Sequence, residues 1–346
     1  AQLRFNQDYG RTACRHFPPP IRSRHLYTPP SRLLYSLSVL MVKTFDILFL
    51  LGAILIGFSV SLWLAIWSPD ALMRDPLPLY RQATVTAQII GKRSIQDVRL
   101  AGPDGETVIF KVSLPANLPD HQMPSLILLS PYQDPERNLR FFPRPGPNVI
   151  ISYAQPYELG VWQSASFFER AWIVRRVAYR MPDSVSALIG WIRRQEWADR
   201  KRINLAGIGP AAVILPAVRR RAASTGQPVG GSVLAYGGID IQAMADAGLA
   251  IESDWLRSIA AWLTGIMLLP LEPATHLPLI KGPFLLINAR DDRTIPAASL
   301  DGIRALTPEP KTIATVQQRQ GDKPPHIAKT IRVARNWLVA QGLLDP

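Results

Sequence analysis

The sequence predicts an α/β fold: a mostly parallel sheet with helices on both faces, preceded by one N-terminal transmembrane helix. Short apolar segments alternate with amphipathic helical segments over residues 80–346, and this alternation is typical of a parallel sheet covered by helices. Residues 44–68 contain a long uncharged apolar run. With 346 residues, 47% of them hydrophobic, the chain can bury a full core, which excludes a disordered protein and a disulfide-stabilised miniprotein.

The first forty residues differ from the rest of the chain. They hold six arginines and one aspartate and so contribute +5 of the formal charge of +13. The first methionine is Met41, and we expect residues 1–40 to be an over-extended reading frame or a disordered basic arm. A nucleic-acid-binding arm is disfavoured because no later segment resembles a nucleic-acid module. Cys14 is the only cysteine, which excludes an intrachain disulfide and a cysteine-based zinc or redox site.

The apolar run over residues 47–67 spans about 21 residues without a charge, enough for a helix to cross a hydrocarbon core of about 30 Å. Trp63 and Trp67 lie near its end, where tryptophan favours the membrane interface. A cleaved signal peptide is the alternative, but its apolar region would be shorter and a small-x-small cleavage pattern would follow. Lys43 precedes the run, so the positive-inside rule places the N-terminus in the cytoplasm and residues 70–346 in the bacterial periplasm.

Strand-like segments follow this predicted anchor. Residues 97–115 contain two strands that turn at Pro103-Asp104-Gly105, a strong hairpin signal. The uninterrupted apolar run over 125–130 is typical of a strand that is buried on both faces. The other predicted strands cover residues 83–90, 148–154, 202–209, 230–238, 282–292 and 311–318.

Helices are predicted between these strands, over residues 164–180, 185–197, 210–221 and 327–344. Pro182-Asp183-Ser184 is expected to separate the first two helices. The Arg193-Arg194 and Arg219-Arg220-Arg221 runs are most simply solvated helix faces, and attraction to anionic lipid headgroups is the alternative.

Residues 240–282 interrupt the alternation of strands and helices and are expected to form a helical insertion or lid. The segment 255–269 places several large apolar side chains along one helical face: Trp255, Ile259, Trp262, Leu263, Ile266 and Met267. The simplest interpretation is a core helix of the insertion. A lid over a pocket and a face that rests on the bilayer are the alternatives.

Three positions, in chain order, resemble the α/β-hydrolase fold. A predicted strand leads into the turn Gly207-Ile208-Gly209-Pro210-Ala211 and then a helix, Asp292 ends a later strand, and His326 precedes the last helix. This is the order of nucleophile, acid and base in that fold.

Two longer segments narrow the resemblance to dienelactone hydrolases and prolyl oligopeptidase-like proteins. Residues 197–207 (WADRKRINLAG) are similar to the stretch that enters the nucleophile turn, and residues 285–296 (LLINARDDRTIP) are similar to the acid strand. The alignment of the second segment with that strand implies that Asp292, rather than Asp291, occupies the position of the triad acid. The resemblance covers about residues 85–343 and implies an α/β-hydrolase domain.

The chain departs from this family at the nucleophile. The G-x-S-x-G turn presents a serine hydroxyl at its centre, and here the central residue is Gly209. The next residue normally donates its backbone N–H to the oxyanion, but Pro210 has none. Loss of one such donor costs about 2.7–4 kcal/mol of transition-state stabilisation. The resemblance therefore implies a catalytically degenerate protein.

Asp292 and His326 remain as the residual triad positions that the resemblance implies. The other histidines fall in the basic arm or in proline-flanked loops: His16, His25, His121 and His276. Each residual position also has a structural alternative. Asp292 would cap the turn that follows its strand, and His326 would be an exposed loop histidine without a partner.

A relocated nucleophile would restore hydrolase chemistry, and the candidates near the same rim are Ser130, Tyr132 and Tyr153. No cofactor or metal is expected, because the histidines are scattered and HExxH and P-loop motifs are absent from the sequence.

Two functional hypotheses follow. In the first, a membrane-anchored, degenerate α/β-hydrolase-like protein binds a small-molecule ligand or an envelope protein. In the second, the chain is an active esterase or peptidase-like hydrolase with a relocated nucleophile. Both include the lipid bilayer as a partner through the N-terminal helix, and neither includes nucleic acid.

Overall fold

The structure is a computed structural model that describes part of the chain: residues 48–60, 73, 77–102, 105–129, 135–142, 144–154, 165–290, 292, 294–316 and 325–346. The chain divides into two compact units, which are residues 1–59 and residues 60–346. The predicted basic arm over 1–40 lies outside the described residues.

Residues 48–60 form a helix within the predicted membrane anchor. Its large side chains are exposed, as Phe49 (75%) and Ile56 (68%) illustrate. The rest of the predicted span lies outside the described residues. Across the described ranges, no helix combines the length and the apolar character needed to cross a membrane, so the predicted transmembrane helix is not found there.

In the described part of the second unit, a mixed sheet of nine strands has the order β1-β2-β3-β5-β4-β6-β7-β8-β9. The strands are β1 (Arg81–Ile90), β2 (Arg93–Ala101), β3 (Thr107–Pro115), β4 (Met123–Leu129), β5 (Val149–Ala154), β6 (Ala198–Ile208), β7 (Ser232–Ala235), β8 (Phe284–Ala289) and β9 (Lys311–Val316). The antiparallel pairs are β1 with β2, β2 with β3, and β3 with β5. All pairs from β5 through β4 to β9 are parallel.

Helices cover both faces of this sheet: α1 (Pro135–Leu139), α2 (Phe167–Arg193), α3 (Pro210–Ser224), α4 (Ile241–Gly248), α5 (Asp254–Leu268), α6 (Pro273–His276), α7 (Ala297–Leu306) and α8 (Pro325–Ala340). Successive side chains of β4 enter opposite core clusters. Ile127 packs in the cluster that contains residues of α2 and α3, and Leu128 packs in the cluster that contains residues of α8. This confirms the prediction of a sheet with helices on both faces.

The predicted break at Pro182-Asp183-Ser184 is wrong, because α2 is one helix of 27 residues that continues through Pro182. It begins at a capping box, in which the Ser166 N–H donates to Glu169 Oε2 at 2.7 Å. An interior proline costs a helix about 3 kcal/mol. Side chains on both sides of the proline, including Met181 and Val185, are fully buried in one core cluster, and this packing offsets the cost.

The interpretation of the 219–221 arginines as a solvated face is wrong for two of them, since Arg219 is 4% exposed and Arg221 is 1% exposed. Arg219 Nη2 donates to the Gly230 carbonyl at 2.8 Å, and Arg219 also donates to Ser232 and Lys281. Burial lowers the pKa of the Arg219 guanidinium to about 10. These contacts join α3 to the strand ends, which makes the arginine structural.

The segment between β7 and β8 contains α4, α5, α6 and two 3-10 turns, Leu269–Leu271 and Leu277–Leu279. The interpretation of α5 as a core helix is wrong. Half of its predicted apolar face is exposed, with Trp255 at 66%, Ile259 at 45% and Trp262 at 38%. Leu263, Ile266 and Met267 are half-buried, and the fully buried residues of the helix are Ala260 and Ala261. Helical periodicity identifies an apolar face but does not show what that face contacts.

Candidate functional site

A cavity of about 470 Å³ lies at the carboxyl ends of the parallel strands. Gly209 follows β6, Tyr236 follows β7 and Asp292 lies shortly after β8, and all three line this cavity. Parallel strands present their carboxyl ends at the same sheet edge, which is the usual ligand-binding edge of α/β proteins. The structure thus brings Gly209, Pro210 and Asp292 together.

Gly209 has the backbone conformation of a sharp strand-to-helix turn, with φ 60° and ψ −126°. Its N–H donates to the Ala235 carbonyl at 2.8 Å, and its carbonyl accepts from the Ala212 N–H at 2.9 Å. A Cβ placed on Gly209 would meet nothing within 4 Å. The turn therefore points into open space, but the residue there carries no side chain.

Pro210 is the first residue of α3. Proline suits this position because the first N–H groups of a helix have no intrahelical acceptor and the fixed φ matches a helix. The same feature removes the N–H that would face an oxyanion above Gly209. Pro210 therefore stabilises the start of α3 but provides no N–H donor for an oxyanion.

The Asp292 carboxylate is engaged locally. Its Oδ1 accepts from the Thr294 N–H at 2.8 Å and from the Thr294 hydroxyl at 2.6 Å. This is the capping contact that the structural alternative for Asp292 predicts. Asp292 and Thr294 both line the cavity, so the cap also forms part of the cavity wall.

His326 lies in the first turn of α8, and its side chain is outside the described part of the structure. A contact between His326 and Asp292 stays a prediction. His276, placed in a loop by the sequence, is instead in α6 and fully buried. Its Nε2 lies 2.8 Å from the Pro270 carbonyl oxygen, which assigns it to the packing of the insertion.

Tyr236 is a cavity residue that the sequence analysis missed. It has a positive φ of 57°, and its hydroxyl lies 2.7 Å from Thr330 Oγ1 of α8. A positive φ is uncommon for a bulky residue and marks a backbone position imposed by its surroundings. The Tyr236-Gly237-Gly238 sequence at the end of a predicted strand was the available signal.

Most of the cavity wall is aliphatic. Two neighbouring helices contribute to it, with Ala178 from α2 and Ile214 from α3, and α4 adds Met244. Among the lining side chains, polar atoms come from Tyr236, Asp292 and Thr294 and from the methionine thioether. The cavity suits an apolar molecule with one polar end.

The relocated nucleophiles receive no support from the described residues. Tyr153 is 1% exposed, and burial raises the pKa of its phenol, which disfavours the phenolate that would attack a substrate. Ser130 and Tyr132 lie outside the described residues. Within the described ranges, no group of three or more His, Cys, Asp or Glu side chains is placed to hold a metal ion.

Two solved structures share this architecture. An acetyl xylan esterase from Thermoanaerobacterium sp. is 12% identical, with a TM-score of 0.53 over 76% of this chain and 90% of that one. An acetyl xylan esterase from Paenibacillus sp. is 14% identical, with a TM-score of 0.53 over 80% of this chain and 93% of that one. No protein-family model and no curated protein matches the sequence. Likeness at this identity concerns the fold alone, and the chain has the α/β-hydrolase fold.

Proposed function

We propose that this protein is a membrane-anchored α/β-hydrolase-fold protein that lacks serine hydrolase chemistry and binds a small apolar ligand at the cell envelope. The observation that carries the proposal is Gly209: the residue at the sharp turn facing the cavity has no side chain. An acyl-enzyme needs a nucleophilic side chain at that point. Pro210 removes one oxyanion donor from the same place.

The chemistry of the cavity indicates the class of ligand. Aliphatic side chains provide most of the wall, and the hydrogen-bonded side chains of Asp292 and Thr294 form a polar part of it. A carboxylate accepts hydrogen bonds and repels an anion. The proposed ligand is therefore an alkyl or acyl chain that carries a hydroxyl or another donor, rather than a free fatty acid.

The membrane anchor is proposed from residues 44–68. The run over 47–67 is uncharged, and the described helix within it exposes its leucine, isoleucine and phenylalanine side chains. The charge distribution favours a cytoplasmic N-terminus and a periplasmic hydrolase-fold domain.

The first experiment tests the absence of serine chemistry in the full chain, purified in nanodiscs. We expect no covalent labelling by a fluorophosphonate probe and no turnover of p-nitrophenyl esters. Stoichiometric labelling of a serine, with turnover lost in His326→Ala, would instead establish the active hydrolase with a relocated nucleophile.

The second experiment tests the ligand class by thermal unfolding. We expect 1-octanol to raise the Tm of the full chain more than octanoate does, because the carboxylate of octanoate meets Asp292. Ala245→Trp places a large side chain in the cavity wall and should abolish the response. The matched control is Ala298→Trp, on the exposed side of α7, which should respond like the parent. Equal responses of both variants would contradict binding in this cavity.

A further inference from the structure

Helix α5 presents a strip of large apolar side chains that the described protein does not cover. These residues form the α5 apolar face: Trp255 (66% exposed), Leu256 (45%), Ile259 (45%), Trp262 (38%) and Leu269 (43%), the last directly after the helix. Single exposed apolar residues are common, but a contiguous strip marks an interaction surface.

The opposite side of α5 is made of small residues. Ala260 and Ala261 are buried, and a Cβ placed on Gly265 would lie 2.8 Å from the Gln242 Cβ of α4. Small residues let the two helices approach closely and leave no room for large side chains between them. Because of this packing, Trp255, Ile259 and Trp262 are exposed, while Leu263, Ile266 and Met267 are half-buried.

The composition of the face suits the boundary between water and lipid. Residues 258–271, which include Ile259, Trp262 and Leu269, contain no Asp, Glu, Lys or Arg. Trp255 and Leu256 lie between Asp254 and Arg257, which form an ion pair with each other. Tryptophan with leucine and isoleucine on one face is typical of helices that lie in the membrane interface.

A basic side chain accompanies the apolar face on the neighbouring helix. Helix α2 is joined to α5 where the Tyr179 hydroxyl donates to the Met267 carbonyl at 3.0 Å. Its N-terminal half exposes Arg170, and Trp172 is 49% exposed, whereas Arg176 lines a second cavity with Glu106. Cations beside an apolar face complement the anionic headgroups of a bilayer.

We infer that the α5 apolar face docks into the interfacial region of a lipid bilayer that contains anionic lipid. The choice of a bilayer as occupant rests on the proposed anchor. Residues 68–80 connect the apolar run to β1, and a chain of that length spans at most roughly 45 Å, so the domain stays within reach of the membrane.

Docking would bring the cavity to the membrane surface. Leu268, the last residue of α5, lines the cavity beside Val174 of α2, which is itself 39% exposed. Leu269 of the α5 apolar face is the next residue in the chain. The rim of the cavity thus adjoins the docked strip, which places an apolar ligand of the bilayer next to its entrance.

The test uses the full chain with Cys14→Ser, reconstituted in phosphatidylcholine vesicles with phosphatidylglycerol. One variant carries Ile259→Cys on the α5 apolar face, and the matched control carries Leu118→Cys, an apolar position 54% exposed in the loop between β3 and β4. Each cysteine is labelled with a nitrobenzoxadiazole fluorophore. We expect spin-labelled lipid to quench the label at 259 about threefold more than the label at 118, since interfacial helices insert about 5–10 Å.

Flotation of the vesicles after an alkaline carbonate wash reports separately on the anchor. If the chain floats and the two labels are quenched equally, the docking inference is wrong while the anchor stands. If the chain does not float, the proposed anchor is wrong, and absence of quenching at 259 before the wash overturns docking as well. A blue-shifted label at 259 without lipid quenching, together with a doubled mass in solution, would show a second copy on this face and contradict the inference. A third arm with phosphatidylcholine alone should give weaker quenching at 259, because the exposed Arg170 then meets no anionic headgroup.

Discussion

Arg221 Nε lies 2.6 Å from Asp183 Oδ1, and this ion pair joins the two helices beside the cavity. Arg221 belongs to α3, the helix that begins at Pro210, and Asp183 belongs to α2, which contributes Val174 and Ala178 to the cavity wall. The Arg221 side chain is 1% exposed and the Asp183 side chain 30%. The contact joins the C-terminal end of α3 to the middle of α2.

Asp183→Asn should lower the free energy of unfolding by about 3 kcal/mol, because it leaves the buried Arg221 guanidinium without its counter-charge. Urea unfolding of the full chain measures this. The control is Asp254→Asn, which removes an ion pair with Arg257 in which the aspartate is 88% exposed. That change should cost about 0–1 kcal/mol. Equal losses for the two variants would contradict the structural role of the buried pair.

Gly209→Ser should destabilise the chain by about 1–2 kcal/mol although the space above Gly209 is open. The cost comes from the backbone, since φ 60° with ψ −126° is rarely adopted by a residue with a Cβ. Gly248→Ser is the matched control, because its Cβ also meets nothing within 4 Å and its φ is not positive. Thermal unfolding should show a lower Tm for Gly209→Ser than for the parent chain, and an unchanged Tm for Gly248→Ser.

Glu272→Ala should loosen the cavity wall that α4 provides. The Glu272 carboxylate accepts from the Asp240 N–H at 2.8 Å and from the Ile241 N–H at 2.9 Å, at the start of α4. Loss of these bonds should cost about 1–2 kcal/mol in urea unfolding and weaken the response to 1-octanol. Replacing the exposed Glu252 by alanine should change neither measurement.

Tyr80 should make the stability of the chain depend on alkaline pH. It lines a second cavity, of about 360 Å³, with Glu106 and Arg180. Burial, with a smaller contribution from the Glu106 charge, raises the pKa of the Tyr80 phenol to about 12. The folded state thus keeps a proton that the unfolded state loses from about pH 10 upward, so stability falls as pH rises through this window.

Tyr80→Phe removes this titration. Urea midpoints measured from about pH 9 to about pH 11 should fall more steeply for the parent chain than for the variant. If the midpoints of the two chains fall equally with pH, Tyr80 has the same pKa in the folded and the unfolded state, which would contradict the raised pKa.

The order of strands and helices could be predicted from the sequence where local pattern and burial agree. The uninterrupted run over 125–130 is explained by β4, whose seven residues are all buried. The prediction of a break at Pro182 failed because burial of the residues on either side stabilises the helix. This stabilisation exceeds the free-energy cost of an interior proline. The arginines at 219 and 221 were misassigned for a related reason: their partners, at Lys281 and Asp183, are distant in sequence.

By itself the sequence determined the chemistry at the turn, because the absence of a side chain at Gly209 and of an N–H at Pro210 are properties of the residues. It also determined the alternation of strands and helices that leads to an α/β fold. Tertiary structure decided which residues meet: it placed Asp292 and Tyr236 in the wall of the cavity with Gly209, and it left Trp255 and Ile259 of α5 exposed. Contacts between residues far apart in the chain depend on packing among several elements, and no local pattern encodes them.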